Sequence, residues 1–405
     1  MNRFVFHNPV AIRFGRGVVD RIGDTVALYG RRVLLVYGRG SIKQHGLYDR
    51  VHQALADAGV TVVEHGGVHA NPLLSHVRAG IELAKTARTE AVVAVGGGSV
   101  IDSAKAIAAG AVAKHDVWLF FRGKKGIKEA LPVICAPTVV GAGSETNSGM
   151  VLTHDEQRLK LGIGNRLLLP KAALLDPTVT ITVPPHQTAY GATDALAHLL
   201  EFYCTGTATF TPVQDHLAAG VMRTIMASSR IAVQEPANYA ARADLMWSAV
   251  LALHGLISAG RGRVGLPAHL LAHPLSALYD LPHGAAVAAV LPGWLCEQAN
   301  ENPSRLANFA EQVFSLRGNN RHAIARQGIT MLADWLQTIG CPVCLADLGI
   351  DAKEIPALAE NARPLAKLWR LADYPPERCQ AIFHKCLLPH NNDQGACSRK
   401  VPAGP

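Results

Sequence analysis

Charge is scarce in this chain. Only 17% of its 405 residues are Asp, Glu, Lys or Arg, against 49% hydrophobic. Disordered and fibrous chains need other balances, so both classes are excluded and a large buried core is expected. Basic runs are missing too. The net charge is +8 with a pI of about 9.1, yet no run of Lys and Arg is longer than a pair. Such scatter is not the stripe that grips nucleic acid, and no nucleic-acid partner is expected. Long apolar runs are also absent. None reaches the roughly eighteen residues of a membrane span; the nearest, Gly284 to Cys296, contains Pro292. The opening Met1-Asn-Arg-Phe-Val-Phe-His7 has no apolar centre and soon meets Arg13 and Arg16, unlike a signal peptide. Of eight cysteines only Cys341 and Cys344 stand close together. A single CxxC with no second pair is weak evidence for zinc or redox chemistry and is read as packing. Scattered thiols fit a reducing compartment, so a cytoplasmic protein is expected.

What is present divides near residue 180. Before it, strand and helix signals alternate. Val33-Leu-Leu-Val-Tyr37, Val60-Thr-Val-Val-Glu64, Ala91-Val-Val-Ala-Val95, Val133-Ile-Cys-Ala136 and Ala172-Ala-Leu-Leu-Asp176 read as strands, with helical spacing over 48–58 and 81–86 between them. Continuous apolar strands separated by helices predict a doubly wound parallel α/β sheet, a dinucleotide-binding domain over 1–180. After Pro184-Pro185 the apolar spacing is helical almost throughout, for example over 189–203, 212–229, 240–258 and 323–338, which predicts an all-helical metal-binding and catalytic domain over 181–387. Residues 388–405, polar and rich in Asn, Gly and Pro, read as a disordered tail.

Three loops in the first part carry binding signals. Gly96-Gly97-Gly98-Ser99 follows the strand ending at Val95, with Asp102 and Lys105 on the next helix. Glycines between strand and helix let backbone N–H groups approach a phosphate, and the helix N-terminus adds partial positive charge. The spacing is not GxGxxG, and a tight turn needs fewer glycines than stand here. The second loop is Thr138-Val-Val-Gly-Ala-Gly-Ser144-Glu145. Alone it says little; paired with the first, at the carboxyl ends of two strands, it points to an extended dinucleotide. The third is Gly38-Arg39-Gly40-Ser41-Ile42-Lys43. An acidic residue there would hold the hydroxyls of an adenosine ribose, but none is present before Asp49. Arg39, Ser41 and Lys43 suit a 2′-phosphate instead, which points to NADP rather than NAD.

Metal signals gather in the second part. Asp194 and His198 are four residues apart, as are His269 and His273, so each pair shares a helix face. His283 follows after a short segment. Asp194 lies in an otherwise apolar stretch, where an unpaired buried carboxylate is costly. A single His on an apolar face is usually core. A carboxylate and several imidazoles converging is better explained by a borderline divalent metal. His186, His254 and His390 lack such neighbours in sequence and read as structural.

Together these motifs resemble the iron-containing (group III) alcohol dehydrogenases, from about residue 2 to residue 387. Gly38 where others carry an aspartate, with Leu281-Pro-His283, resembles the NADPH-dependent aldehyde reductase and butanol dehydrogenase branch. The resemblance implies a dehydroquinate synthase-like plan, with Asp194, His198, His269 and His283 as ligands to one Fe(II) or Zn(II). It implies His273 near the nicotinamide as a proton relay. It also implies Gly97, Gly98 and Ser99 on the pyrophosphate, Thr138 and Ser144 lining the cleft, Lys160 at the nicotinamide ribose, and Asn147 facing a small aliphatic aldehyde or alcohol. A homodimer is expected on the same ground. The branch usually carries an Asp-Trp pair just before His269; this chain reads Gly260-Arg-Gly-Arg-Val-Gly-Leu-Pro-Ala268, about one residue longer. That departure questions the geometry near His269. The competing readings are a glycerol dehydrogenase-like or dehydroquinate synthase-like reaction on the same plan, or a catalytically silent nucleotide binder. The basic cluster that a phosphate substrate of dehydroquinate synthase needs is not seen near the metal motif.

Overall fold

The structure, a computed structural model, describes residues 1–389; all but the first two residues of the tail expected over 388–405 lie outside the described residues. Six strands form one parallel sheet in the order β1-β8-β5-β4-β2-β3. They are β1 (Ala11–Phe14), β2 (Arg32–Gly38), β3 (Thr61–Val68), β4 (Ala91–Gly96), β5 (Val133–Pro137) and β8 (Ala172–Leu175). An antiparallel pair, β6 (Gly149–His154) and β7 (Leu159–Gly164), stands apart from it. This hairpin was not expected from the sequence, and neither was the edge strand β1.

The continuous apolar strands are explained by two cores. Side chains alternate across a sheet, so successive residues feed opposite faces. Ala91, Val93 and Val95 of β4 join Val33, Leu35 and Tyr37 of β2 in one core, under the helix Leu47–Asp57. Val92 and Ala94 join Leu34 and Val36 in the other, under the helices Leu74–Thr86 and Gly98–Ala111. That second core runs on without a break into the helical half, through Leu196, Leu275, Leu291 and Trp294. Each fully buried Val or Leu is worth about 1.5–3 kcal/mol, so this shared core holds the two halves against each other.

From Pro185 onward the described chain is helical apart from its connections, with helices Pro185–Thr205, Pro212–Gln234, Tyr239–Leu253, Pro267–Tyr279, His283–Glu301, Pro303–Phe314, Arg321–Thr338, Ile355–Trp369 and Pro376–Lys385. Prolines 185, 212, 267, 303 and 376 each open a helix, where the missing N–H costs nothing. The helix expected over 240–258 stops earlier, at Leu253, and turns carry the chain to Pro267. No helix among the described residues is long and apolar enough to cross a membrane.

Two strand ends matter for the site. From β2 the chain steps outward to β3, then returns to the other side of β2 as β4 and continues to β5 and β8. The sheet therefore changes direction between β2 and β4, which pair side by side. A crevice opens at such a switch point, outside the carboxyl ends of the strands. Gly38 ends β2 and Gly96 ends β4.

Candidate metal centre and nucleotide cleft

The Asp194 helix, Pro185–Thr205, carries a buried polar stripe. Asp194, His198 and Glu201 recur at intervals of four and three, one helical face. Two glycines let this helix come close to its neighbours. A Cβ on Gly191 would stand 1.9 Å from the Val140 carbonyl oxygen of the second glycine loop, and one on Gly284 would stand 2.3 Å from the Tyr190 carbonyl oxygen. Backbone contact at Gly191 presses the nucleotide half against the Asp194 helix. Backbone contact at Gly284 presses the His283 helix, His283–Glu301, against it from another side. The His269 helix, Pro267–Tyr279, ends at Asp280 in the left-handed conformation (φ 53°), one of the few residue types that tolerate it. That sharp stop returns the chain through Pro282 to His283.

Asp194 is the centre. Its Oδ1 lies 3.0 Å from His269 Nε2, 3.7 Å from His283 Nε2 and 3.8 Å from His198 Nδ1. Ligand atoms of Asp194, His198 and His269 all fall within 4.8 Å of one another. His283 is the most open, with 26% of its side chain exposed. His273 stands outside the ring, its centroid 5.4 Å from that of His283 and 5.5 Å from Trp369. Its Nδ1–H donates to the Lys160 carbonyl at 3.2 Å.

The charges are uneven. Burial alone would raise the Asp194 carboxyl, but His198, His269 and His283 outweigh it and hold the group far below the usual carboxylate range. Burial pushes His198 down to about 3, helped by His269. Burial also opposes charge on His269, yet Glu201 and Asp194 on its two sides lift it to about 10. Glu201 was not anticipated from the sequence. It is fully buried, accepts the backbone N–H of His269 at 3.1 Å on one oxygen and takes its Nδ1 on the other. The i, i+4, i+7 spacing was visible; a glutamate on a helix is ordinarily solvated, which hid it.

The donor set fits a metal. His198 Nδ1, the atom that faces Asp194, is buried with no hydrogen-bond partner, a costly state for a polar atom unless something else binds there. Three imidazoles and a carboxylate suit Fe(II) or Zn(II).

The segment 260–268, where the sequence departs from the resemblance, is pinned down. Arg261 is fully buried; its Nε donates to the Ile257 carbonyl at 2.9 Å and its Nη1 to Asp215 at 2.6 Å. Arg263 N–H donates to Thr207 Oγ1 and Gly265 N–H to Thr205 Oγ1. The segment is thus tied to the end of the Asp194 helix before it leads into His269.

At the sheet, Gly97 caps the helix Gly98–Ala111, leaving first-turn N–H groups to face the crevice. Ser99 Oγ donates to the Ala70 carbonyl. Asp102 binds the two loops together, accepting from Ser144 Oγ at 2.6 Å and Val151 N at 3.0 Å. Thr138 N–H donates to the Gly96 carbonyl. Lys160 is buried, donates to Asn71 Oδ1 at 2.9 Å, and burial brings its ammonium down to about 8. Asn71, unnoticed in the sequence, also donates to Asp280 at 2.8 Å and so joins the sheet half to the turn before His283. Arg39, Ser41 and Lys43 are exposed; the Lys43 ammonium lies 4.4 Å from the Tyr48 ring and 5.0 Å from that of Tyr37. The Asn147 side chain is engaged within its own loop, accepting from Gly149 N and Lys105 Nζ and donating to the Ala142 carbonyl.

Comparison with known proteins agrees with this architecture. Residues 9–177 match the family model for iron-containing alcohol dehydrogenase, and residues 188–374 the C-terminal model of the Fe-containing alcohol dehydrogenase family. The chain is 39% identical to the probable NADH-dependent butanol dehydrogenase 1 of Bacillus subtilis (strain 168), over 89% of this chain and 94% of that one. It is 35% identical to the NADPH-dependent aldehyde reductase YqhD of Escherichia coli (strain K12), over 89% and 93%. The crystal structure of NADH-dependent butanol dehydrogenase A from Thermotoga maritima superposes with a TM-score of 0.92 at 38% identity, covering 96% of this chain and 99% of that one. The α/β sheet followed by a helical half is the shared fold, and the chain belongs to the iron-containing alcohol dehydrogenases, a family of oxidoreductases.

Proposed function

We propose that the chain is a metal-dependent, NADP(H)-linked alcohol dehydrogenase or aldehyde reductase, catalysing reversible hydride transfer between nicotinamide and a small aliphatic alcohol or aldehyde. One observation carries this reading: the Asp194 helix packs at Gly191 against Val140 of the second glycine loop, whose Val139 and Ala142 lie against Gly97 and Gly98 of the first, which supports a metal-binding donor set beside a dinucleotide crevice. Relatives named for butanol dehydrogenase and aldehyde reductase activity support it.

Asp194, His198, His269 and His283 would hold Fe(II) or Zn(II); a bound ion of this kind supplies Lewis-acid polarisation of a carbonyl oxygen. Affinity order favours zinc, so supply decides the metal as much as the ligands do. The first-turn N–H groups after Gly97 and Gly98 bind the pyrophosphate, with Ser99, Thr138 and Ser144 along the cleft and Asp102 fixing Ser144. Lys160 reaches the nicotinamide ribose. His273, its Nδ1–H committed to the Lys160 carbonyl, keeps Nε2 free to pass a proton to or from the alcohol oxygen, directly or through water. Asn147 shapes the pocket wall through its loop contacts. Names of relatives divide between NADH and NADPH, so the NADP preference rests on Arg39, Ser41 and Lys43 and on the lack of a carboxylate in their loop. A homodimer is supported by β1, which among the described residues pairs only with β8 and carries exposed Phe14 beside exposed Trp247; light scattering in solution tests it.

The experiment that tests the whole reading is oxidation of NADPH and of NADH over a panel of aliphatic aldehydes, with metal analysis of the same sample. Turnover with NADPH ahead of NADH and about one metal per chain is expected. Metal without turnover on any aldehyde would leave a silent binder and sink the enzyme reading.

A further inference from the structure

We infer that Glu201 is a positioning residue for the metal centre: it holds the His269 ring in the orientation that aims Nε2 into the cluster, and it makes Nδ1 the nitrogen that keeps its hydrogen when a metal displaces the one on Nε2. The inference rests on the metal reading of the cluster. Its evidence is the way Glu201 spends its two oxygens. Both go to one residue, His269: Oε1 to the backbone N–H at 3.1 Å and Oε2 to Nδ1. The ring is therefore gripped at two points along its own residue, which fixes χ1 and the ring plane as well as the proton. A carboxylate can only accept, so the Nδ1 facing it must carry hydrogen. Nε2 faces Asp194 Oδ1 at 3.0 Å and donates to it in the same way; with Nδ1 held by Glu201, the Nε2 hydrogen is the one a metal displaces.

The competing explanation is a helix cap. His269 is the third residue of its helix, which begins at Pro267, and its N–H is among those a helix leaves unpaired. Capping accounts for Oε1. It does not account for Oε2, nor for the complete burial of a carboxylate whose outlay is otherwise hard to recover. Nor does charge balance around the cluster require a second acid, since Asp194 already faces all three imidazoles.

Glu201→Gln separates the two roles. The amide keeps the volume and an oxygen for the backbone N–H, so the cap survives. Its NH2 then faces Nδ1, which must accept rather than donate, so the single proton of the neutral ring stays on Nε2 and competes with the metal for that atom. Metal-free protein, stripped by chelation, is titrated with Zn(II) against a competing indicator, and its melting temperature is recorded without metal. The expected result is a loss of Zn(II) affinity of about tenfold to a hundredfold with the metal-free melting temperature held close to wild type. A zinc affinity within about twofold of wild type would overturn the inference, as would a loss of metal-free stability with affinity per folded molecule unchanged. If the variant does not fold, nitrogen-15 NMR of histidine-labelled, zinc-loaded wild type decides: Nδ1 of His269 protonated supports the inference, Nδ1 bare overturns it. Failure of the wild type itself to take up zinc or iron would instead sink the metal reading, a distinct outcome.

Discussion

Two buried carboxylates, Asp194 and Asp215, sit on neighbouring helices, each ringed by nitrogen donors, and they are built for opposite ends. Asp215 accepts from Arg261 at 2.6 Å, from Arg305 twice at 2.6 and 2.7 Å, and from Thr211 at 3.1 Å. The Arg305 guanidinium also lies 3.7 Å over the Tyr203 ring. Arginine cannot shed its proton, so this cluster is closed by permanent charge. Asp194 is faced by imidazoles, which can be neutral and offer lone pairs; His198 Nδ1 has no partner and can bind a cation, whereas Arg261 Nη2, also without a partner, has only hydrogens to give. The type of cation thus distinguishes a structural tie from a ligand site. Burial and ion-pair distance alone would not, since both carboxyls are buried and both have partners near 3 Å or closer.

The largest expected effect breaks the open cluster. Asp194→Ala should lower bound metal from about one per chain to near zero and cut turnover at least about a thousandfold, since metal polarisation is worth several kcal/mol. Metal-free stability should fall less than in the Asp215 variant below, because an imidazole that loses its counter-charge can shed a proton and arginine cannot. Added metal stabilises the wild type by about 4 kcal/mol at a thousandfold excess over Kd, an increment the variant should lose entirely. Metal analysis and melting curves with and without Zn(II) read both. Full metal content in Asp194→Ala would refute the assignment.

Asp215→Ala should do the reverse. Two arginines would be left near no counter-charge, one of them fully buried, a loss of about 3–5 kcal/mol in metal-free stability. The gain on adding metal should persist. If Asp215→Ala instead lost metal with its fold intact, the distinction between the two clusters would collapse. Because Arg261 comes from the segment 260–268, this variant also measures what that stretch contributes.

A third test concerns the nucleotide half, where side chains are less committed than in the helices. Arg39→Ala with Lys43→Ala should reduce kcat/KM for NADPH by about tenfold to a hundredfold, the worth of one or two charge-assisted hydrogen bonds, and leave NADH within about twofold. Equal losses for both cofactors would mean these residues do not read the 2′-phosphate.

The same contrast explains what could be read in the sequence. The sheet strands were legible because each is a short apolar run between turn residues, and Asp194, His198, His269 and His283 were legible because helical spacing puts ligand types on one face within apolar sequence. Glu201 shares that face but was passed over, since its burial depends on His269 arriving from another helix. Asn71 gave no local signal at all; its partners Lys160 and Asp280 lie far along the chain. Arg261 stood out only as part of the departure before His269 and is a buried tie. The hairpin β6–β7 was missed because Gly149, Gly162 and Gly164 weaken the strand pattern there. Local periodicity carries faces; which faces meet is a property of the packed chain.

The smallest effect is a dependence on pH. Burial holds the Lys160 ammonium at about 8, below its ordinary 10.5. A depressed pKa means that between about 8 and 10.5 the unfolded chain binds more protons, so wild-type stability gains from this group as pH rises through that window and loses it as pH falls. The full shift corresponds to roughly 3 kcal/mol. Lys160→Met removes it but strands the Asn71 Oδ1 that the amine serves, at a cost of about 1–3 kcal/mol. In metal-free protein the variant should therefore lie within about 2 kcal/mol of wild type at pH 7, and the difference should move in favour of wild type by pH 10. A difference that stays flat from pH 7 to 10, in denaturant titrations at each pH, would show that Lys160 is charged as readily in the fold as outside it.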